Sequence, residues 1–313
     1  MTQKKLQVCT SVSGGQSSAY VAAHYPSDFL VFALVCIEDT ACTPKDAKLV
    51  QAVSDRIGRE FIATAEDDTI LHTMFDLEQY LGQRIDWVVG DTFETVARHR
   101  GGWLPNKLHR YCTVEMKIKP MFDWWRNHCL IGEGEPVNMQ IGFRHGEQRR
   151  ALKMIDRCNV DGLLEEKTII GKHSNGNNKW HHMPWQRPSF PMINDGIRRD
   201  DVVEFWKGKP VRFAERNNCV GCFHRGPMLL RLMADKHPEK MQWFADIEQE
   251  KLKGLNEKSK GLNVQPDEYG RVNGRYQGGW RSDVTYKEIL KHKMQASLSF
   301  DDFEECDSGH CGL

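Results

Sequence analysis

The chain has 313 residues, enough for one large domain or two unequal ones, and 43 basic side chains balance 43 acidic ones. That neutrality argues against a general nucleic-acid coat and leaves only local basic clefts as anion sites. The opening MTQKKLQVCTSV has no apolar run of signal length, and no stretch nears the roughly 20 apolar residues of a membrane span, so a soluble cytoplasmic protein with no membrane partner is expected.

Residues 6–12, LQVCTSV, read as a strand, and SSAYVAAHY after SGGQ reads as a helix. The unbroken apolar run FLVFALVCI (29–37) predicts a strand buried on both faces. TPKDAKLVQAVSDRIG (43–58) has helical spacing, with Pro44 in the first turn, Gly58 at the end, and Ala47, Val50, Ala52 and Val53 on one side. EFIATA (60–65) reads as the next strand. This alternation predicts an α/β fold built on a parallel sheet.

RHRGGWLPNKLHRYCT (98–113) reads as a basic loop, and VEMKIKPMFDWWRNH as a helix interrupted near Pro120. VNMQIGF (137–143) is a strand, and KHSNGNNKWHH (172–182) is polar and surface-like. IRRDDVVEFW (197–206) predicts an amphipathic helix with Val202, Val203 and Trp206 inward. From about 207 the character changes. NNCVGCFHRGP forms a cysteine knuckle, PMLLRLMADKHPEKMQWFADIEQEK one or two helices, and 254–282 a Gly-, Lys- and Arg-rich loop before the acidic DDFEECDSGHCGL. Two units follow: an α/β domain over 1–207 and a smaller irregular, helical cysteine-containing region over 208–313.

SGGQSS, between a strand and a helix, is a candidate anion cradle. Backbone N–H groups at a helix N-terminus face the positive end of the helix dipole. Gly14 and Gly15 let the backbone approach phosphate, and Ser13, Ser17 and Ser18 add hydroxyls. A plain serine–glycine turn would carry the same string. Asp39 and Thr40 stand at the carboxyl end of the second predicted strand, where a ribose or base would lie. The alternative there is a helix start capped by Thr43. Arg144, Arg149 and Arg150 form either a fork for phosphate or sulfate or a solvated basic turn.

Ten cysteines in a reducing compartment point to metal or redox work rather than a disulfide framework. Cys9 and Cys36 lie in apolar runs and read as buried thiols, as do the isolated Cys42, Cys129 and Cys158. Cys219 and Cys222 have ligand spacing, with Gly221 letting the turn close, and Cys112 lies among basic residues. Three such thiols suit an iron–sulfur cluster, whereas His224 would complete a zinc site instead.

These ordered segments resemble the phosphoadenosine phosphosulfate reductase family of the adenine nucleotide alpha-hydrolase-like superfamily. SGGQSS is similar to its pyrophosphate loop, DTACTP to the segment after its second strand, and HRYCTVEMKIKP to its cysteine–lysine–proline segment. IGFRHGEQRR, FPMINDGIRRDDVVEFW and NNCVGCFHR complete the order, over about residues 6–225. The resemblance implies an adenine nucleotide (ATP or a sulfonucleotide) on Ser13, Gly14, Gly15, Ser17 and Ser18, with Asp39 and Thr40 beside it. It further implies Arg144, Arg149 and Lys117 at the anionic end, and a 4Fe-4S cluster on Cys112, Cys219 and Cys222. Ser17 stands where ATP-cleaving members carry Asp, and Tyr111 where cluster-containing reductases carry a second Cys. The tail ECDSGHCGL resembles the reductases' C-terminal nucleophile segment, which makes Cys306 or Cys311 the catalytic thiol or a fourth ligand.

Three functions are then expected in order. The first is thiol-dependent reduction of a sulfonucleotide, an enzyme–S-sulfonate being resolved by a thioredoxin-like dithiol. The second is ATP-dependent sulfur transfer to a nucleobase or nucleic-acid backbone, with magnesium beside the ATP and a cysteine desulfurase as sulfur source. Nucleic acid would then be a partner, held by stretches such as RHRGGWLPNKLHR and GRYQGGWRS. The third is a non-catalytic nucleotide-binding protein with structural zinc.

Overall fold

A computed structural model describes residues 6–128, 135–259, 271–272, 275–276 and 278–292. Its strands are β1 (Val8–Val12), β2 (Phe29–Leu34), β3 (Cys36–Ile37), β4 (Ala63–Thr64), β5 (Ile85–Val89), β6 (Val137–Gln140), β7 (Leu164–Lys172) and β8 (Asn178–Ser189), with a separate antiparallel pair, Arg271–Val272 and Arg275–Tyr276. The central sheet has six strands in the order β5-β2-β1-β6-β8-β7. Its first five strands run parallel, and β7 returns antiparallel along the edge. The α/β expectation therefore holds.

Two predicted strands change place. The run 29–37 divides at Val35, and the β3 portion leaves the central sheet to pair antiparallel with β4. EFIATA shrinks to that two-residue β4. The sheet edge beside β2 belongs instead to β5, a five-residue strand that the alternation had not marked. Residues 172–182, expected as plain surface, are the outer part of the β7–β8 hairpin.

Helices α1 (Gln16–His24), α2 (Ala47–Ile57), α3 (Thr69–Leu81) and α4 (Phe93–His99) lie in the first third of the chain. α2 starts one turn later than Pro44 predicts. The Asp46 carboxylate accepts the Lys48 and Leu49 N–H groups, and Gly58 ends the helix at φ 67°. Leu49 and Val53 face inward while Ala47 is exposed. In the helix Arg199–Trp206, Val202 and Trp206 are buried and Val203 is exposed.

Residues Tyr111–His128 form one helical stretch that widens into a π turn at Val114–Ile118. Pro120 has no N–H for the Met116 carbonyl, so the chain takes a wider turn there rather than the break expected at the proline.

Strand residues alternate between two apolar clusters. Leu30, Phe32 and Leu34 join the one beneath α1 and α3, while Val31 and Ala33 join the one beneath the helix Lys119–His128. A third cluster gathers Val35, Ile37 and Phe93 with Val220, Phe244, Trp280 and Tyr286. It packs residues from both sides of position 207 into one core, and it fixes the cysteine knuckle against the end of the sheet.

Candidate functional site

β1 ends at Val12, and Ser13–Gly15 turn the chain into α1. Gly14 holds φ 79°, and a Cβ there would lie 2.5 Å from the Ile70 side chain. Gly15 caps α1 without a side chain, leaving the first-turn N–H groups to other acceptors. Ser18 is buried and committed to the loop: its Oγ accepts the Ser13 N–H at 3.0 Å and donates to the Gly15 carbonyl at 3.0 Å.

A cleft of about 330 Å³ opens over this turn, within the ~300–1,000 Å³ of small-molecule sites. Ser13, Gly15, Gln16, Ser17 and Ser18 line one side, and Gly142, Phe143, Arg144 and Arg150 another. It lies at the carboxyl ends of β1 and β6, where α/β sheets bind ligands. Gly142 has a specific reason to lack a side chain: a Cβ would stand 2.8 Å from Ser18 N and 2.9 Å from Ser18 Cα, both backbone.

The cationic wall differs from expectation. Arg144 and Arg150 line the cleft, whereas Arg149 is exposed and outside it. Arg199, which the pattern did not single out, joins them. Glu147 lies between the first two. Arg144 Nε donates to its Oε2 at 3.1 Å, Arg150 pairs with its Oε1, and the Arg150 guanidinium stacks 4.0 Å from the Phe143 ring centroid. An entering anion would compete with Glu147 for both guanidiniums. Asp39 and Thr40 are not among the lining residues. Asp39 Oδ1 accepts the Ala41 N–H at 2.8 Å and caps the short turn Thr40–Cys42, the alternative role with Asp39 in place of Thr43.

The three candidate ligands meet in one place. Cys112, Cys219 and Cys222 line a small chamber of about 40 Å³ together with Lys117, Met116, Phe93, Phe223, Phe244 and Trp280. The knuckle is tied down on several sides. Val220 N–H donates to the Ala65 carbonyl at 2.8 Å, Cys222 N–H to the Cys219 carbonyl at 3.1 Å, and Tyr286 Oη to the Gly221 carbonyl at 2.8 Å. Arg225 Nη2 donates to the Asn217 carbonyl at 2.6 Å, and Arg281 Nη1 to the Phe223 and Arg225 carbonyls. Gly221 is required by packing rather than by turn closure, since a Cβ there would stand 2.4 Å from a Phe244 ring carbon. Lys117 Nζ donates at 2.8 Å to Glu66 Oε1, and Glu66 is 1% exposed. Its other oxygen, Oε2, finds no hydrogen-bond partner among the described residues.

Consecutive residues link the cleft to the chamber. Asn217 Nδ2 donates to Ser13 Oγ at 3.3 Å and would lie 2.7 Å from a Cβ on Gly15. Asn217 and Asn218 line the cleft, and Cys219, the next residue, lines the chamber. Asn218 holds φ 75° and donates its N–H to Asn217 Oδ1 at 2.9 Å. Among the described residues it is the only one other than glycine in the left-handed region. The two asparagines entered the sequence reading only as flanks of the knuckle, so this link was not visible there.

The three thiols match a thiolate-ligated group in donor chemistry alone, and lining one chamber does not bring them within ligating distance of a common point. Among the described residues, no group of three or more His, Cys, Asp or Glu side chains stands close enough to hold a metal ion. Cys129, Cys306 and Cys311 lie outside the described residues. No helix of the described residues is long and apolar enough to cross a membrane.

No family model matches the chain, and no curated protein or solved structure matches it either. The class is thus defined by the fold alone: an α/β protein with a mostly parallel six-stranded sheet and a ligand-sized cleft at its carboxyl edge.

Proposed function

We propose that the chain is a cytoplasmic sulfur-chemistry enzyme of the phosphoadenosine phosphosulfate reductase type, with an adenine nucleotide alpha-hydrolase-like fold. The observation that carries this reading is that Cys112, Cys219, Cys222 and Lys117 line one chamber, and that the residues just before Cys219, Asn217 and Asn218, line the glycine-loop cleft. An adenylyl sulfate would rest its phosphate on the N–H groups after Gly15 and Ser17, with Arg144, Arg150 and Arg199 balancing its charge. Expulsion of water by Phe143, Val202 and Phe213 along the cleft would strengthen these contacts.

Cys112, Cys219 and Cys222 would hold a 4Fe-4S cluster, whose positive iron centres would supply electrostatic and redox support at the sulfate end. Lys117 would hold its ammonium beside the chamber, anchored by Glu66. A thiolate, from Cys306 or Cys311, would attack sulfur. The new S–S bond gives an enzyme–S-sulfonate, the O–S bond breaks, and the nucleotide phosphate leaves. A thioredoxin-like dithiol would then release sulfite and regain the thiol as its own disulfide forms.

Two measurements test this. Anaerobic analysis should find iron and acid-labile sulfide that fall together in Cys112→Ser, Cys219→Ser and Cys222→Ser. Intact-mass analysis after mixing with adenylyl sulfate or its 3′-phosphate should find one SO3 group on Cys306 or Cys311. Absence of an adduct on either cysteine would overturn the reductase reading, and ATP consumption dependent on a nucleic acid would favour the sulfur-transfer alternative. Gly142→Ala should weaken nucleotide binding at least about tenfold while iron content is kept, because the added methyl meets the backbone of α1 and not the knuckle. Gly15→Val is a poorer probe, since it would push Asn217 and through it Cys219.

A further inference from the structure

The β7–β8 hairpin runs well beyond the sheet. β8 pairs with β6 only from Gln186 to Ser189. From Lys167 to His182 the two strands pair with each other alone among the described residues. A two-stranded ribbon without a third strand or a packed face is marginal by itself in water. This one nevertheless presents Ile169, Ile170 and Trp180 at 44%, 50% and 51% exposure. One face touches the helix Lys119–His128, whose Arg126 donates to Thr168 Oγ1 at 3.3 Å. The register places Lys167 opposite His182 and Ile169 opposite Trp180 on the other face, away from that helix. There Lys167 Nζ lies 4.8 Å from the centre of the Trp180 ring.

Charge selects the partner. The segment 167–182, KTIIGKHSNGNNKWHH, holds three lysines and three histidines and no acidic residue, in a chain whose formal net charge is zero. An indole flanked by cations and left open to solvent suits a ligand that combines negative charge with flat rings. We propose that the outer half of this ribbon binds single-stranded nucleic acid, with Lys167, Lys172 and Lys179 meeting phosphates and a base stacking on Trp180. The proposal rests on the ribbon alone and holds whichever nucleotide the cleft takes.

The test uses the full chain and a fluorescently labelled mixed-sequence strand of about 20 nucleotides, longer than the ~4–16 nucleotides such surfaces occupy. Anisotropy should show binding that weakens with salt at a log–log slope of about −2, as three phosphate contacts require. Lys167→Ala, Lys172→Ala and Lys179→Ala together should flatten that slope and lower affinity at least about tenfold. Trp180→Ala should lower affinity about 5- to 100-fold with the slope unchanged, and Trp180→Phe should restore most of it. All four positions are exposed, so circular dichroism and melting should match the parent and exclude misfolding. Absence of binding by the parent, or parent-like binding by the ribbon variants, would overturn the proposal. Equal competition by heparin with no effect of Trp180→Ala would reduce the surface to a generic polyanion site. Ribbon-dependent self-association without nucleic acid would make a second copy the occupant. Either result would overturn it too.

Discussion

The cleft over Ser13–Ser18 and the cysteine chamber touch, yet they are built in opposite ways. The cleft is polar and open, with the β1–α1 turn as its floor and side chains such as Arg144, Arg150 and Arg199 around it. The chamber is small, apolar and made of residues drawn from distant parts of the chain, from Val35 and Phe93 through Cys112 and Cys219 to Phe244 and Trp280. A local motif supplies the candidate anion-binding turn of the first. The second exists only when the third apolar cluster has formed. Disturbing the chamber should therefore cost stability, and disturbing the cleft should cost ligand.

The largest expected effect lies under the chamber. Lys117→Met would leave the Glu66 carboxylate buried without its cation, which should cost about 3–5 kcal/mol in urea denaturation. Glu66→Gln in the same chain should recover most of that loss. Parent-like stability of Lys117→Met would mean that the pair does not organise the chamber.

Next comes a pH dependence. Burial pushes the Glu248 carboxyl up to about 7, against the pull of N–H groups from Tyr286 and Trp280. A raised folded-state pKa favours the neutral acid in the fold. Its contribution, about 3 kcal/mol, is full below the ordinary value near 4.5 and is lost as pH rises through about 7. Unfolding midpoints should fall between about pH 5 and 8, and Glu248→Gln should flatten the curve. The same profile in parent and variant would remove Glu248 as its source.

Smaller effects separate the two regions. Gly221→Ala drives a methyl into the Phe244 ring and should cost about 1–3 kcal/mol, with altered reactivity of the chamber thiols and unchanged nucleotide affinity. A loss of nucleotide affinity as well would show that the Asn217–Cys219 segment transmits strain. Smallest is Asn218, where Ala should cost about 1–2 kcal/mol in the left-handed conformation and Gly almost nothing. Equal stability of the Ala and Gly variants would show that the backbone there relaxes.

Much of the fold was legible because parallel strands buried on both faces read as continuous apolar runs, as FLVFAL does. EFIATA misled because an apolar run does not say which sheet it joins, and β3 and β4 pair aside from the main one. The hairpin escaped notice because the few apolar residues of its outer part, Ile169, Ile170 and Trp180, do not alternate with polar ones in the way that marks a strand. Among site residues, Ser13 to Ser18 and the three cysteines were visible as motifs. Arg199 and Gly142 were not, since each acts through a neighbour remote in sequence.

The chain order by itself settled the strand–turn–helix at SGGQSS, the buried strands beside it, and which thiols had ligand spacing, because propensity, glycine freedom and periodicity act over a few residues. Only the tertiary structure decided that Arg150 and not Arg149 turns into the cleft, that Asn217 joins the loop to the knuckle, and that Cys112 shares a chamber with Cys219 and Cys222. Those pairings span more than 100 residues, and close packing of the core, which no local pattern encodes, brings them together.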